Sequence, residues 1–117
     1  MVKIENAKGS ISISTEVFTN IAGDAASRCF GVKGMAGKAK ESGIYQLLRR
    51  ESMSKGVFVS FNEDNTASID LHIVVEHGVN LATIGESIIS EVTYKVGEAT
   101  GVTVRDVNVY IDTMMIG

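Results

Sequence analysis

The sequence contains no proline, no tryptophan and a single cysteine, and aromatic residues make up only 6% of it. One cysteine, Cys29, cannot form an internal disulfide, and the lack of Cys-x-x-Cys pairs or Cys/His clusters excludes zinc-finger and thioredoxin-like proteins. No apolar run exceeds three residues, as in Ile73–Val75, whereas a membrane span needs about 20. The charges of Lys3 and Glu5 interrupt the stretch that would have to be apolar in a signal peptide. We therefore expect a cytoplasmic protein.

The length of 117 residues corresponds to one domain, because domains average roughly 150 residues. Enzymes built from a cofactor domain and a substrate domain are too large for this chain. Hydrophobic residues make up 44% and charged residues 21%, which is typical of a globular protein with a packed core. The chain has no internal repeat and no low-complexity tract, so we expect residues 1–117 to form a single domain.

Two segments carry the apolar spacing of a helix packed on a core. The first follows Ser14, a candidate N-cap, and ends before Gly31. The second is longer, begins after Asn80 and ends at Gly101. Its apolar residues recur every three or four positions: Leu81, Ile84, Ile88, Val92, Val96 and Ala99.

Alternating polar and apolar residues predict four strands. One covers residues 9–14, two form a hairpin over 57–61 and 69–75, and the last covers residues 107–111. The apolar phase changes before the last strand, which predicts a β-bulge or a bend at Arg105 and Asp106.

The glycine-rich middle of the chain gives a weaker pattern. We expect a short strand over residues 32–36, followed at about 36–55 by a flexible basic loop or by a short helix with Ile44, Leu47 and Leu48 on one side. The element order is then β-α-β-β-β-α-β. This order predicts an α+β fold with one mixed sheet, both helices on one face, and the other face partly open.

Charge is divided unevenly along the chain, although the net charge is only −3. Residues 1–27 carry −1, residues 28–55 carry +5 and residues 56–117 carry −7, which sums to −3. The basic block could bind the acidic block of a second copy, anionic lipid headgroups or a phosphate backbone. Its candidate interaction residues are Lys33, Lys38, Lys40, Arg49, Arg50 and Lys55.

The open face of the predicted sheet supplies a second group of candidates. Phe58, Val74 and Tyr110 lie on it by strand parity, and apolar residues on an open face suggest a covering partner. Asp70, His72 and Glu76 share this face and have side chains of metal-ligand type. Positions i and i+2 on a strand are about 7 Å apart, however, which is too wide for a shared ion, so we expect no metal or other cofactor.

Other short motifs lack their required context. The glycines near Lys38 do not have the spacing of a phosphate-binding loop, and no serine or threonine follows the lysine. Gly31–Gly34 matches the GXXG loop of nucleic-acid-binding KH domains, but the helix that should follow is replaced by glycines. Cys29 has no histidine placed beside it, so we expect it to be buried at the end of the first helix.

Several stretches of the chain, taken in order, resemble the alkaline shock protein family of Gram-positive bacteria. The resemblance covers almost the whole chain, and the strongest part is Ile69–Asn80. The matching stretches are 9–18, 21–22, 25–26, 31–35, 54–59, 69–80 and 107–111.

The resemblance implies a protein without known enzymatic activity that is linked to alkaline and cell-wall stress and that self-associates. It also implies two partners found in some relatives: a small membrane-anchor protein, and a dihydroxyacetone-kinase-like lipid enzyme expressed alongside. Our first hypothesis is therefore a homo-oligomeric scaffold or adaptor near the cytoplasmic membrane.

Two alternatives come from other functional classes. The first is a small RNA-binding module that uses the basic segment 33–55; the net negative charge and the few aromatic residues disfavour it. The second is a metal-dependent enzyme with its site at Asp70, His72 and Glu76.

Overall fold

The structure, a computed structural model, describes residues 2–38, 45–47 and 56–116. Within these ranges the chain forms seven strands and two helices. Four of the candidate interaction residues lie outside the described residues: Lys40, Arg49, Arg50 and Lys55.

The chain begins with a hairpin of β1 (Val2–Asn6) and β2 (Gly9–Ile13), which form a two-stranded sheet of their own. Here the structure differs from the single sheet that we expected. The turn explains the difference, because the side chain of Asn6 accepts a hydrogen bond from the backbone N–H of Lys8 at 2.8 Å and reverses the chain. The strand predicted at residues 9–14 therefore pairs with the residues before it, with Ile4 opposite Ile11.

Helix α1 (Thr15–Ser27) follows directly and buries the face predicted from its apolar spacing. Phe18, Ala22 and Ala26 are fully buried. The Phe18 ring packs edge-on against Phe61 with the ring centroids 5.0 Å apart, which fixes α1 against the sheet. Gly31, which follows the helix, adopts a φ of 86°, a left-handed conformation that favours glycine.

The main sheet has five strands, and β6 (Ala67–Glu76) is its centre. One side of β6 pairs in parallel with β7 (Val104–Met115). The other side pairs antiparallel with β5 (Val57–Phe61) at one end and with β3 (Val32–Lys38) at the other. This mixed sheet and the two helices confirm the predicted α+β class.

Of residues 39–55 the structure describes only β4 (Tyr45–Leu47), which pairs with the end of β3, so the predicted loop or short helix is replaced by a strand at these three residues alone. We expected a loop or a short helix, because Ile44, Leu47 and Leu48 have helical spacing. In the structure Leu47 lies opposite Ala36, and Tyr45 lies opposite Lys38. Strand pairing thus takes precedence over a helical pattern that is only one or two turns long and is marginal by itself.

Helix α2 (Leu81–Thr100) agrees with its prediction at both ends. The side chain of Asn80 accepts a hydrogen bond from the backbone N–H of Thr83 at 3.0 Å, which is the N-cap interaction. Gly101 ends the helix with a φ of 75°. The buried side chains of α2 share one core with those of α1 and with the inward side chains of β6, so both helices cover the same face of the sheet.

Two β-bulges interrupt the pairing of β6 with β7. The first leaves Arg105 without a partner, since Ala67 pairs with Val104 and Ser68 with Asp106. Of the bulge or bend predicted at Arg105 and Asp106, the structure shows the bulge. The second, which was not predicted, leaves Asp112 as the extra residue between the partners of Ile73 and Val74.

The N-cap residues of the two helices, Ser14 for α1 and Asn80 for α2, give a matched test of the side-chain cap on α2. Replacing Asn80 with alanine removes a cap hydrogen bond, so Asn80→Ala should lower the free energy of unfolding by about 1 kcal/mol. Ser14 occupies the N-cap position of α1, but its side chain makes no cap hydrogen bond, so Ser14→Ala should change stability much less. Urea unfolding of both variants measures the difference. Equal losses of stability would contradict this account of the caps.

Candidate interaction surface

The open face of the sheet carries three ring side chains in a row across three neighbouring strands. Phe58 comes from β5, His72 from β6 and Tyr110 from β7. Strand alternation places them there, because Ile69, Leu71, Ile73 and their counterparts on β7 point into the core under the helices. Phe58 is 58% exposed and Tyr110 47% exposed, and we call Phe58, His72 and Tyr110 the ring cluster.

The three rings contact one another. His72 stacks on Tyr110 with the ring centroids 4.8 Å apart and the planes inclined by 13°. Phe58 meets His72 edge-on at 5.6 Å. His72 pairs directly with Tyr110 in the register of β6 and β7, so the stacking follows from the strand pairing. The contacts hold the rings as one apolar platform on the surface.

Asp112 fixes the orientation of the histidine. Its carboxylate oxygen Oδ2 lies 3.0 Å from Nδ1 of His72, and its side chain is only 10% exposed. A carboxylate can only accept a hydrogen bond, so Nδ1 is the donor, and the other ring nitrogen, Nε2, does not take part in this bond. Asp112 lies two residues beyond Tyr110 on β7, so strand alternation already directs its side chain to the open face, where it reaches His72.

Sequence reasoning missed Asp112. Strand parity continued from Val107, Val109 and Ile111 gives no sign of an extra residue at position 112. The available signal was parity, which places Asp112 on the open face with Tyr110 and His72, whereas the bulge at this residue could not be predicted.

The three residues considered as metal ligands have separate roles in the structure. Asp70 accepts a hydrogen bond from the side-chain amide of Asn108 at 3.0 Å, and His72 is held by Asp112. Among the described residues no group of three histidine, cysteine or acidic side chains is placed to hold a metal ion. The structure therefore does not bring Asp70, His72 and Glu76 together.

The other predicted interaction residues are placed differently. Lys33 is exposed on β3, and Lys38 is the last residue of that strand. Val74 was expected on the exposed surface but is only 1% exposed, so it does not contribute to that surface. It lies between two paired strands, with Gly34 on one side and Thr113 on the other.

Acidic side chains lie close to the ring cluster. Asp70 and Asp112 bond to Asn108 and His72, and Asp106 precedes Tyr110 by four residues on β7. Arg105 approaches the Asp106 carboxylate at 3.7 Å, with both side chains about half exposed, so this contact stabilises the fold little. The surface around the rings is suited to a partner that is partly apolar and carries basic groups.

A separate groove runs between the two helices, with a volume of about 650 Å³. Cys29 lines it and is half-buried rather than buried as expected; its thiol lies 3.4 Å from the carbonyl oxygen of Ala25. Burial raises the pKa of the Cys29 thiol, the negative charge of Glu91 raises it further, and a hydrogen bond with Ser87 acts in the opposite direction. A thiol with a raised pKa is a poor nucleophile at neutral pH.

The causes of this shift can be tested one at a time. Removing the charge in Glu91→Gln should lower the pKa of Cys29 and speed its alkylation at pH 8, whereas Ser87→Ala should slow it. Glu98→Gln, on an exposed part of α2 outside the groove, is the control. The measurement is the rate at which iodoacetamide alkylates Cys29 as a function of pH. If the pH of half-maximal rate is the same in all variants, the charge effect is ruled out.

No helix within the described ranges is both long enough and apolar enough to cross a membrane.

Comparison with known proteins finds a family and a fold. Residues 3–116 match the model of the alkaline shock protein 23 family, which is described as having a cell envelope-related function. The chain is 33% identical over 116 residues to the uncharacterized protein YloU of Bacillus subtilis (strain 168), covering 98% of this chain and 96% of YloU. It is 34% identical over 116 residues to the uncharacterized protein Spy1614 of Streptococcus pyogenes serotype M6, covering 98% of this chain and 95% of Spy1614.

Solved structures support the fold. The chain resembles MamM-CTD 215-293 with a TM-score of 0.52 over 86% of this chain and 99% of that one, at 15% sequence identity. At this low identity the likeness concerns the fold alone. The match over residues 3–116 and the two relatives above 30% identity confirm the family inferred from the sequence: the chain belongs to the alkaline shock protein 23 family, whose function is related to the cell envelope.

Proposed function

We propose that this protein is a non-enzymatic scaffold of the cell-envelope stress response that self-associates through the open face of its sheet. The observation that carries the proposal is the ring cluster, in which Phe58 and Tyr110 are about half exposed on the two strands that flank the central strand β6 and are held by ring contacts with His72. Aromatic residues held rigidly on a surface are typical anchors of protein interfaces, because little conformational entropy is lost when a partner covers them.

The charge distribution supports a second copy as the partner. The ring cluster belongs to the acidic block of residues 56–117, and the basic block of residues 28–55 carries +5. Contact between the open face of one copy and the basic block of the next would be heterologous, and repeated contacts of this kind build chains or rings. Opposite charges would speed assembly and fix its orientation.

The same surface argues against RNA as the partner. Exposed rings across a sheet can stack on bases, but Asp70 and Asp112 lie beside these rings and would repel a phosphate backbone. The cytoplasmic location remains a prediction of the sequence analysis, and the membrane-anchor protein and the lipid enzyme are predictions that depend on the family resemblance.

Two exposed tyrosines allow a matched test of the open face. Tyr110 belongs to the ring cluster, whereas Tyr94 is exposed on α2, on the opposite side of the sheet. Tyr110→Ser should weaken self-association tenfold or more, about 1.4 kcal/mol, because an aromatic anchor is lost. Tyr94→Ser should leave it unchanged. Sedimentation velocity over a concentration series measures both, and equal behaviour of the two variants would contradict the proposed interface.

The basic block is tested by reversing charge. Arg49→Glu with Arg50→Glu should weaken assembly in dilute buffer, and added salt should reduce the difference from the unmodified protein. Lys3→Glu with Lys8→Glu changes the net charge by the same amount outside the basic block and serves as the control. Light scattering at low and high ionic strength gives the result. Normal assembly of the Arg49/Arg50 variant would remove the basic block from the proposal.

A further inference from the structure

The outer edge of β7 is a second surface suited to another copy of this chain. Within the described residues β7 pairs with β6 alone, so its other edge presents backbone N–H and C=O groups without a strand partner. The two bulges at Arg105 and Asp112 distort the ends of this edge, but residues 106–111 between them follow one regular register. This stretch contains neither lysine nor proline, the residues that commonly block edge pairing.

A shallow groove of about 410 Å³ lies along this edge, between β7 and α2. Leu81 and Ile89, both exposed, are two of its lining residues, and Gly85 lies one helical turn from each. A Cβ built on Gly85 meets no atom within 4 Å, so the space beside this glycine is open. An unpaired strand edge therefore runs beside an apolar groove of matching direction.

We propose that two copies pair their β7 edges antiparallel about a two-fold axis at Asn108, joining two five-stranded sheets into one. This inference rests on the proposed function, since it supplies one of the contacts by which the scaffold self-associates. The joined sheet would present the ring clusters of both copies on one continuous face.

The orientation follows from charge. Arg105 lies at one end of the regular stretch and Asp112 at the other. Antiparallel pairing keeps the two exposed Arg105 side chains at opposite ends of the seam, whereas parallel pairing would bring them together. The Asp112 carboxylate, largely buried against His72, adds little to this preference.

The register follows from strand parity. Directly paired residues point to the same face, so the axis must pass through a residue and not between two residues. An axis at Val109 would place Asp106 opposite the Asp112 of the other copy, which is unfavourable because the charges are alike. An axis at Asn108 pairs Val107 with Val109 on the core side and Asp106 with Tyr110 on the open side.

The helices complete the interface. Both copies of α2 would lie on the same face of the joined sheet, on either side of the seam, with their grooves facing each other. Leu81 and Ile89 of one helix would then fill the open space beside Gly85 of the other. Ala82 has only a methyl side chain and Gly85 has none, so the two helices can approach closely here.

Gly85→Gln tests the groove. Glutamine is a better helix former than glycine and meets no atom at its Cβ, so this variant should fold and raise Tm by roughly 2–6 °C. It also fills the groove, and the concentration for half-maximal dimerisation should rise at least tenfold. Ser90→Gln, at an exposed position elsewhere on α2, is the control and should not alter dimerisation. Unchanged dimerisation in Gly85→Gln would overturn the proposal.

A cysteine at the axis tests the register. In a Cys29→Ser background, Asn108→Cys would lie opposite its own copy, with the two Cα atoms about 4.5–5.5 Å apart, a distance that a disulfide spans. Mild oxidation should cross-link Asn108→Cys but not Ser90→Cys, and adding Gly85→Gln should suppress the cross-link. If the protein self-associates by light scattering but the two cysteine variants cross-link equally, the edge pairing is wrong and the open-face scaffold stands. If the protein stays monomeric at every concentration, both proposals are wrong.

Discussion

The alternation of side chains along β6, interrupted only by the burial of Val74, is the constraint on which the structure depends. Ile69, Leu71 and Ile73 are fully buried, and they form the floor on which both helices pack. Because β6 is bonded to strands on both sides, its register cannot slip by one residue without exposing these side chains and burying Asp70 and His72. The core and the open face are thus specified by the same ten residues.

The ring cluster follows from the same constraint. The alternation of β6 places His72 on the open face, and β5 and β7 bring Phe58 and Tyr110 to its two sides. Asp112, two residues beyond Tyr110 on β7, adds its carboxylate. The result is a partly apolar surface next to carboxylates, which suits a partly apolar, basic partner better than a phosphate backbone.

The sequence predicts the regular elements well, because period-two and 3.6-residue spacing reflect which side faces the core. Both helices, the hairpin of β5 and β6, the Asn80 cap and the bulge at Arg105 were read from that spacing. Four features were not. The β1 and β2 hairpin depends on the turn at Asn6, β4 depends on pairing with β3, and the burial of Val74 depends on tertiary packing. The bulge at Asp112 leaves no mark in the local pattern, although parity gives the face of this residue. Turn chemistry and strand pairing decide these features, and one-dimensional periodicity does not record them.

The central claim is that copies of this chain meet on the open face of the sheet. Hydroxyl-radical footprinting of the unmodified protein, read by mass spectrometry at low and at high concentration, tests it without any substitution. The account predicts that oxidation of Phe58 and Tyr110 falls as the protein assembles while that of Tyr94 stays constant. Equal oxidation of Phe58 and Tyr110 in the dilute and the assembled protein would contradict it.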